Sequence, residues 1–416
     1  IDHMRFQCQP VYTNTEIAGA MRGYGSPQVY FGWQRQMQKI ADFLHMDMAD
    51  LQMKNMVDPD SCDPIFHKPH GNSRPKDCLK RALELIDYEA CLKEQEATRN
   101  QDIRIGVGLA LGVHGNNCVG AHRDVSTPML KMNEDGSCIY YTGSHDMGTD
   151  TLGMQMQIVS EVLGISMDRI ECIQADTDAT MYDLGNYSSR GTFVSCSAAL
   201  KVAGQVKTEL LKEASGLLKV DESELDLKDQ RVYCTFRPDT SASLAEVIKY
   251  AMQAHGRDIC CADTFASCAM AVSYGAHFAK VQVDMENGSV KVLDYTAVHD
   301  IGKALNPMGV EGQIEGAVQM GIGYALTEGF ILDDKGKVKN TTLKQYHMLN
   351  AQEMPPIKVG LVEQIEQSGP FGAKSIGECS VVPVAAAVAN AVSNAVGKQV
   401  KRIPVRPADV MKLIES

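Results

Sequence analysis

Lys374 and Glu378 are the two side chains whose types and surroundings point most directly to acid–base chemistry. Both lie in a glycine-bearing loop at residues 372–380, and an apolar, alanine-rich run at 381–392 follows them. This run predicts a buried helix with Pro383 in its first turn. The N-terminus of a helix favours the charged form of a nearby carboxylate, whereas burial disfavours it. Glu378 is therefore a candidate general base, with capping of the helix as the alternative role.

Other glycine-rich loops indicate that such a base would act beside a bound cofactor. Loops rich in glycine and hydroxyl side chains end at three predicted helix starts, near Gly148, Ser195 and Gly377, and a fourth glycine-rich loop surrounds Arg22. Backbone N–H groups in such loops bind anions together with the helix dipole. Four of them predict a large, phosphate-bearing cofactor. The chain has neither a Gly-x-Gly-x-x-Gly fingerprint nor a P-loop, which argues against a nicotinamide dinucleotide or ATP.

The remaining candidate ligands and nucleophiles have no diagnostic spacing. The histidines at 114, 122, 145, 277, 299 and 347 are scattered, which favours structural roles over zinc ligation. Cys260, Cys261 and Cys268 form the nearest approach to a metal cluster but do not match an iron–sulfur pattern. Neither Ser195 nor Ser380 lies in a Gly-x-Ser-x-Gly elbow, which argues against a serine hydrolase. We expect no metal bound directly by side chains.

The composition predicts a large globular chain. It has 416 residues, of which 44% are hydrophobic, and this length suggests two or three lobes. A net charge of −12 argues against a nucleic-acid or anionic-membrane partner, since both require a basic surface. We expect no membrane span, because the apolar run at 381–396 is too short and is interrupted by asparagines.

The cysteine content and the first residue suggest where the protein resides. Thirteen cysteines, an odd number with irregular spacing, favour reduced thiols over a disulfide framework. The chain begins at Ile1, with neither an initiator methionine nor a signal peptide. We therefore expect a cytoplasmic protein and a chain that is a piece of a longer subunit.

Hydrophobic periodicity predicts the elements that position these loops. The predicted helices are 29–44, 48–56, 78–98, 152–163, 198–219, 243–253 and 310–326. The predicted strands are 1–12, 105–113, 127–141 and 170–175, with a small exposed strand and turn region at 221–233. A hairpin of 278–284 with 290–298, joined by an Asn287-Gly288 turn, is also predicted. This pattern predicts a mixed α/β fold with packed helices in two lobes. We divide the chain into a first region, 1–104, and a main region, 105–416.

Five motifs, in chain order, resemble the molybdenum hydroxylases of the xanthine dehydrogenase and aldehyde oxidase family. The first is Ala-Met-Arg-Gly-Tyr-Gly-Ser-Pro-Gln at 20–28, which is similar to the loop beside the metal. The segments 143–149, 192–197 and 306–316 are similar to pterin-binding segments, and Lys-Ser-Ile-Gly-Glu at 374–378 is similar to the catalytic loop. The resemblance covers residues 13–395. It implies the C-terminal half of a molybdopterin-binding subunit.

The resemblance also implies residue roles. Glu378 would be the general base that takes a proton from the oxygen nucleophile, and Arg22 would lie near the molybdenum as a second catalytic residue. Tyr24 and Cys118 would contact the substrate, with Tyr24 as an aromatic wall for a planar ring. The molybdenum would be held by the pterin, and the pterin by Met21, Arg22, Gly148, Thr149, Phe193, Val194, Ser195, Ser197, Gln313, Lys374 and Gly377.

Two departures from the family pattern qualify these roles. Thr149 stands where many members have Gln, so one hydrogen bond to the pterin would be shorter or missing. The family's earlier Gly-Gly-Gln-Glu loop is absent, so the chain is not expected to be active alone. The implied cofactor is molybdopterin with molybdenum, in its cytosine dinucleotide form. The implied partners are an N-terminal molybdopterin half, an iron–sulfur subunit with 2Fe–2S clusters and an FAD subunit.

Several substrates and functions stay open. The resemblance favours oxidation of an aromatic N-heterocycle, a purine such as xanthine or hypoxanthine. Nicotinate, an aldehyde and hydroxybenzoyl-CoA are alternatives within the family. A non-catalytic scaffold subunit is an alternative outside it, and a dinucleotide-dependent dehydrogenase would need the fingerprint that this chain lacks.

Overall fold

The computed structural model describes residues 5, 7–14, 19–64, 67–118 and 122–415. Its helices are α1 (Ser26–Leu44), α2 (Met48–Asn55), α3 (Pro75–Ile86), α4 (Tyr88–Ala97), α5 (Thr151–Leu163), α6 (Cys196–Leu218), α7 (Leu244–His255), α8 (Pro307–Leu326), α9 (Leu343–Tyr346), α10 (Val384–Val396) and α11 (Pro407–Glu415). Its strands are β1 (Ile103–Gly115), β2 (Asp124–Ser126), β3 (Met129–Met132), β4 (Cys138–Thr142), β5 (Ile170–Gln174), β6 (Leu225–Lys228), β7 (Arg231–Cys234), β8 (Arg237–Ser243), β9 (Cys260–Ala262), β10 (Phe265–Ser267), β11 (Val272–Asp284), β12 (Val290–Asp300) and β13 (Ile357–Val362). The predicted mixed α/β class is confirmed.

A four-stranded sheet in the order β1-β11-β12-β13 forms the centre of the first lobe. β1 pairs antiparallel with β11 from Ile103, opposite Asp284, to Gly115, opposite Val272. β11 and β12 form the predicted hairpin, with Gly288 at a φ of 73° in the turn. β13 then adds parallel to β12, so the strands that precede the loops at 301 and 363 end at the same edge.

Helix α10 packs directly against β1. A Cβ atom at Gly106 would lie 2.0 Å from the carbonyl oxygen of Ala391, and one at Gly108 would lie 2.2 Å from the nitrogen of the same residue. Glycine at these two strand positions therefore permits the helix backbone to contact the strand backbone. Asn390, an interruption in the apolar run, donates from its side-chain amide to Leu109 O at 2.7 Å.

The segment Cys379–Val396 corrects the prediction that no apolar run reaches the length of a membrane span. It has 18 residues and a mean hydropathy of 1.6, but 94% of it is buried inside the fold. The segment begins with a short 3₁₀ turn at Cys379–Val381 and continues into α10, the core helix of the first lobe. Pro383 is the residue before α10 rather than a member of its first turn.

Helices α1 to α4 contribute to the opposite face of the same sheet. Leu79 and Ala82 of α3 belong to one buried cluster with Phe278 of β11 and Val298 of β12. The predicted division at residue 104 falls inside β1, and the helices before it share this core with strands that come after it.

The second lobe contains the sheets β5-β4-β3-β9 and β6-β7-β8 with helices α5, α6 and α7. Its core includes Tyr140 of β4, Val159 of α5, Val206 of α6 and Ile248 of α7. This cluster is separate from the clusters of the first lobe, and the loops before α5 and α6 run along the boundary between the two lobes.

Three predicted elements differ from the structure. Residues 1–4 and 6 of the predicted first strand lie outside the described residues, and residues 5 and 7–12 form no regular structure. The predicted helix 78–98 is two helices, because Asp87 adopts a φ of 55° and its carboxylate caps α4 by accepting from Ala90 N. The predicted strand 127–141 is divided by a turn in which Gly136 has a φ of 84°.

Candidate active site

A cavity of about 500 Å³ lies between the two lobes, and five chain segments line it. The first lobe contributes residues from 301–320 and 374–378, the second lobe contributes residues from 147–154 and 186–192, and the turn at 20–24 completes the wall. This volume falls in the range of small-molecule and cofactor sites, roughly 300–1,000 Å³. Four of the loops that were predicted to bind a cofactor therefore meet at one place.

The carboxylate of Glu378 lines this cavity and is held by two donors from distant segments. Its Oε1 accepts a hydrogen bond from Gly23 N at 3.0 Å, and its Oε2 accepts one from Ser189 Oγ at 3.3 Å. The side chain is 14% exposed. Glu378 precedes the 3₁₀ turn but makes no side-chain cap, so the capping hypothesis is wrong. The carboxylate is instead directed across the cavity wall.

The backbone of the turn at residues 21–25 directs a donor at Glu378. Gly23 adopts a φ of 95°, and a Cβ atom there would lie 2.6 Å from two ring carbons of Pro27. Only glycine fits this conformation and this space. The turn also presents Tyr24 to the cavity, with its side chain exposed and its φ at 50°.

Arg22 joins three segments of the wall. Its Nε donates to Gly377 O at 2.5 Å, and its Nη2 donates to Gln313 Oε1 at 3.1 Å and to Ser380 Oγ at 3.3 Å. Burial lowers the pKa of the Arg22 guanidinium, and the negative charge of Glu378 opposes that shift. Arg22 thus fixes the loop that carries Glu378.

Gln313 extends these contacts to the second lobe. Its side-chain amide nitrogen donates to Gly148 O at 3.0 Å, while its amide oxygen accepts from Arg22. Gly148 has a φ of 89° and a Cβ atom there would meet nothing within 4 Å. Thr149 follows in the same wall, and its hydroxyl pairs with that of Thr151 at 2.9 Å.

A buried arginine shapes the segment that carries Ser189. Arg190 donates to Asp124 Oδ1 at 2.7 Å and to Asp183 Oδ1 at 2.6 Å, and neither the guanidinium nor the two carboxylates are more than 1% exposed. Ser188 and Ser189 adopt φ values of 50° and 54°. Two consecutive left-handed residues that are not glycine are strained, and a buried ion-pair network is able to maintain such a conformation.

In the sequence His114 is one of several scattered histidines, and the structure places it beside Glu378. Its Nε2 is 3.7 Å from Glu378 Oε2, and its side chain is 7% exposed. Its Nδ1 is 2.7 Å from the carbonyl oxygen of Gly115. The only sequence signal was a histidine at the end of an otherwise apolar strand, which does not reveal the partner.

Four predicted cofactor residues lie behind the wall rather than in it. Gly191–Ser195 forms a π-helical turn, and Gly191 and Thr192 line the cavity. Phe193 and Val194 are fully buried, and Ser197 Oγ donates to Phe193 O at 2.6 Å. Ser195 Oγ is buried and has no partner among the described residues. These four residues are buried, whereas Gly191 and Thr192 at the start of the turn reach the cavity, so the cofactor contacts of the four stay predictions.

Cys118 does not line the cavity either. Its backbone N–H donates to Asp124 Oδ2 at 2.9 Å, and it is buried. Burial raises the pKa of its thiol. The Cys118 main chain faces the Arg190 network through Asp124, and the substrate contact of Cys118 stays a prediction.

Lys374 lines the cavity, but its ammonium group is used elsewhere. Nζ lies 2.5 Å from Asp300 Oδ2, and both side chains are fully buried. The same nitrogen donates to the carbonyl oxygens of Asn72 and Val272, both at 3.2 Å. The predicted role of Lys374 in binding a cofactor would therefore have to use its main chain.

Aromatic and apolar side chains form the outer part of the cavity. Tyr24 and Tyr187 have ring centroids 6.4 Å apart with planes inclined by 42°. Tyr187 also lies near His122, whose Nε2 is 3.1 Å from the tyrosine hydroxyl. Met21 is 47% exposed at the same mouth. This part of the cavity is suited to a flat ring.

The inner part of the cavity fits a phosphate-bearing group. Three helix starts in its wall, at Asp150, Arg190 and Glu378, make no side-chain capping bond. Backbone N–H groups in the first turn of a helix need partners from outside the helix, and anions provide them. Among the described residues no group of three or more His, Cys, Asp or Glu side chains could hold a metal ion. The described wall thus provides hydrogen-bond donors rather than metal ligands.

Comparison with protein families identifies this architecture. Two models described as molybdopterin cofactor-binding domains match residues 81–355 and residues 1–56. A putative xanthine dehydrogenase molybdenum-binding subunit of Escherichia coli K12 is 29% identical over 411 residues, which is 97% of this chain and 54% of that protein. An aldehyde oxidoreductase of Megalodesulfovibrio gigas is 28% identical over 427 residues, which is 100% of this chain and 44% of that protein. The chain spans about half the length of these relatives.

Solved structures show the same fold. Quinoline 2-oxidoreductase from Pseudomonas putida 86 superposes with a TM-score of 0.89 at 23% identity, covering 95% of this chain and 53% of that one. CO dehydrogenase from Oligotropha carboxidovorans superposes with a TM-score of 0.87 at 22% identity, covering 94% and 52%. At these identities the likeness extends to the fold.

Proposed function

Because this chain belongs to the molybdopterin cofactor-binding domain family, we propose that its cavity holds molybdopterin and that Glu378 is the general base of a molybdenum-dependent oxidoreductase. The observation that carries the proposal is the position of the Glu378 carboxylate. It lies in the cavity wall and is oriented by Gly23 N–H and Ser189 Oγ–H. A base must be fixed within reach of the proton it removes, and this geometry fixes it.

Each part of the wall has a role in this proposal. The N–H groups near Gly191 would bind the anionic and polar edges of the cofactor, and Gln313 would orient the Gly148 loop. The N–H groups of Gly148 and Thr149 donate to Asp146 Oδ1 at 2.7 Å and 3.2 Å, so these two residues would line the cofactor site rather than donate to it. Arg22 would fix the positions of Gly377 and Gln313 rather than donate a proton, since its N–H groups already donate to these two residues. When bound, the molybdenum centre would supply the two-electron oxidation of the substrate.

The substrate that we propose is an aromatic N-heterocycle, a purine such as xanthine or hypoxanthine. Tyr24 and Tyr187 support it, because their rings at the cavity mouth suit a planar molecule. The xanthine dehydrogenase-like relative supports it as well. Relatives also include an aldehyde oxidoreductase and a carbon monoxide dehydrogenase large chain, so a substrate panel with a purine, nicotinate, an aldehyde, a CoA thioester and carbon monoxide is the direct comparison.

We further propose that the chain works in a cytoplasmic complex. All thirteen cysteines are free thiols, which fits a reducing compartment. The relatives are about twice as long, which supports a second molybdopterin-binding half beside this one. Subunits with 2Fe–2S clusters and FAD would accept the electrons, and the cofactor would be the cytosine dinucleotide form.

The test uses the native complex that contains this chain. Glu378→Gln should retain molybdenum and pterin but reduce kcat/KM by about 10²–10⁴-fold, which is the usual contribution of general-base catalysis. Glu134→Gln is the matched control, because Glu134 is an exposed residue in the second lobe. Its activity should equal that of the wild type.

Two results would overturn the proposal. A wild-type complex without molybdenum would favour the scaffold function, and a Glu378→Gln complex with normal turnover would remove the base assignment. Chemical analysis of the nucleotide attached to the pterin tests the cytosine form independently of activity.

A further inference from the structure

His114 is placed to act on Glu378 from outside the cavity. It lies in β1, opposite Ser273 of β11, and does not line the cavity. A carbonyl oxygen can only accept a hydrogen bond, so the contact with Gly115 O requires a proton on His114 Nδ1. The neutral imidazole then has an unprotonated Nε2, and this nitrogen faces Glu378 Oε2 at 3.7 Å.

Two basic atoms therefore face each other across a gap that a proton would close. A neutral imidazole and a carboxylate make no hydrogen bond at this distance, but a proton on either atom would form one at about 2.7–2.9 Å. Free imidazole is more basic than a free carboxyl group by about two units, roughly 6.5 against 4.3. The unprotonated His114 Nε2 is thus placed to accept a proton that Glu378 acquires.

We propose that His114 is a positioning residue that restores the carboxylate form of Glu378, an inference that rests on the proposed base role of Glu378. In this step the O–H bond on Glu378 Oε2 breaks and an N–H bond forms on His114 Nε2. No electrons leave either group, and the product is a carboxylate–imidazolium pair. The imidazolium is stabilised by Glu378 on one side and by Gly115 O on the other. The proton is then lost to solvent before the next turnover.

The titratable groups of the first lobe that pack around this pair keep one protonation state near neutral pH. Burial raises the pKa of Tyr274 on β11 to about 12 and raises the pKa of Tyr30 on α1 further. Burial also raises the pKa of the Cys379 thiol, which donates to Ser273 O at 3.1 Å. Arg22 beside Glu378 retains its positive charge.

The groups that approach from farther away are equally constant. Desolvation raises the pKa of Tyr187 to about 12. Arg190 is paired with Asp124 and Asp183, and Lys374 is paired with Asp300. His122 also approaches the site, with its Nε2 3.1 Å from the Tyr187 hydroxyl.

The pair makes a specific prediction for pH dependence. In the wild type we expect the first proton that the pair binds as pH falls to go to His114, and kcat to fall as a result. Without the imidazole, activity persists until Glu378 itself is protonated. In His114→Gln the acid limb of kcat should therefore move to lower pH by at least one unit, with kcat at pH 7.5 reduced about 10-fold and KM unchanged within twofold.

A spectroscopic titration follows the same pair without turnover. The infrared C=O band of the Glu378 carboxyl group is assigned by its loss in Glu378→Gln. In the wild type the neighbouring imidazolium delays protonation of the carboxylate to lower pH. In His114→Gln this band should therefore appear at higher pH than in the wild type, while the acid limb of activity moves to lower pH.

His255→Gln is the matched control, because His255 Nδ1 is 2.7 Å from Glu213 Oε2 in the second lobe, another histidine–carboxylate pair. This variant should change neither the acid limb nor the infrared titration. Molybdenum content should equal that of the wild type in both variants. If His114→Gln does not assemble, His114→Phe replaces the ring with one that takes no proton, and the same two shifts are expected.

The outcomes separate this inference from the proposed function. If Glu378→Gln is inactive and His114→Gln moves neither the acid limb nor the carboxyl band, the role of His114 is wrong and the role of Glu378 stands. If Glu378→Gln turns over normally, the assignment of Glu378 as the base is wrong, and so is the role of His114 that depends on it. Opposite shifts of the activity limb and the carboxyl band support the inference.

Discussion

Ser189 and Glu378 are joined by two hydrogen bonds of opposite direction. Ser189 Oγ accepts from the Glu378 backbone N–H at 3.1 Å and is 3.3 Å from Glu378 Oε2, to which it donates. One hydroxyl therefore positions both the main chain and the carboxylate of the candidate base. The two residues are 189 positions apart in the chain and belong to different walls of the cavity.

Ser189→Ala should weaken the base without removing it. The substitution deletes a hydrogen bond to a carboxylate and leaves the Glu378 N–H without that acceptor, so we expect kcat/KM to fall about 10-fold, which corresponds to roughly 1.4 kcal/mol. Ser188→Ala is the control, because Ser188 has a similar φ of 50° but its hydroxyl donates to Asn117 O at 3.3 Å. Steady-state kinetics on both variants make the comparison, and equal effects would contradict the prediction.

Gly23→Ala should displace the other donor to Glu378. The new Cβ atom would lie 2.6 Å from the Pro27 ring, and this ring cannot rotate away. Gly25→Ala is a matched control, since Gly25 has a φ of 91° but no atom within 4 Å of a Cβ position. Both variants have left-handed strain, and Gly23→Ala alone should lower kcat by about 10-fold or more at equal molybdenum content. A loss of equal size in Gly25→Ala would show that strain, rather than the donor, is responsible.

Lys374→Met should affect stability more than chemistry. It would leave the buried Asp300 carboxylate without its ammonium partner, and breaking a buried pair costs about 3–5 kcal/mol. Adding Asp300→Asn removes the unpaired charge, so the double variant should be more stable than Lys374→Met alone. Thermal unfolding of the single and double variants tests this coupling. If Lys374→Met were as stable as the wild type but lost the pterin, the ammonium group would belong to the cofactor site after all.

The buried pair His277 and His299 should make the protein sensitive to acid. His277 Nε2 is 2.6 Å from His299 Nε2, and both rings are fully buried. Burial lowers the pKa of His277 well below its ordinary value and that of His299 to about 3. Below pH 6.5 the unfolded chain binds protons that the folded protein does not, so stability falls as pH decreases.

The size of this effect can be bounded. Each neutral buried histidine destabilises the fold by up to about 1.4 kcal/mol per pH unit below pH 6.5, so the unfolding temperature should fall from pH 7 to pH 5. His299→Gln should reduce that dependence, whereas His45→Gln, at an exposed helix end, should leave it unchanged. Calorimetry at both pH values distinguishes these variants. An unfolding temperature that is constant from pH 7 to pH 5 would contradict the conclusion that His277 and His299 stay unprotonated in the folded protein.

Much of the fold was predictable from local patterns. The long apolar run at 381–396 predicted the buried helix, and the Asn287-Gly288 turn predicted the β11–β12 hairpin, because both depend on neighbours in the chain. Two boundaries were missed for local reasons. Asp87 and Gly136 adopt positive φ values, and a residue such as Asp gives only a weak signal for that conformation.

The sequence by itself determined which loops contain the glycines and ionisable groups of the site, since the order of residues along the chain fixes which side chains each loop carries. Only the tertiary structure decided which of them meet. It placed His114 and Ser189 beside Glu378, paired Lys374 with Asp300, and turned Ser195 away from the cavity. Such contacts join segments far apart in the chain. They follow from the packing of the two lobes and the burial of charges, neither of which local periodicity records.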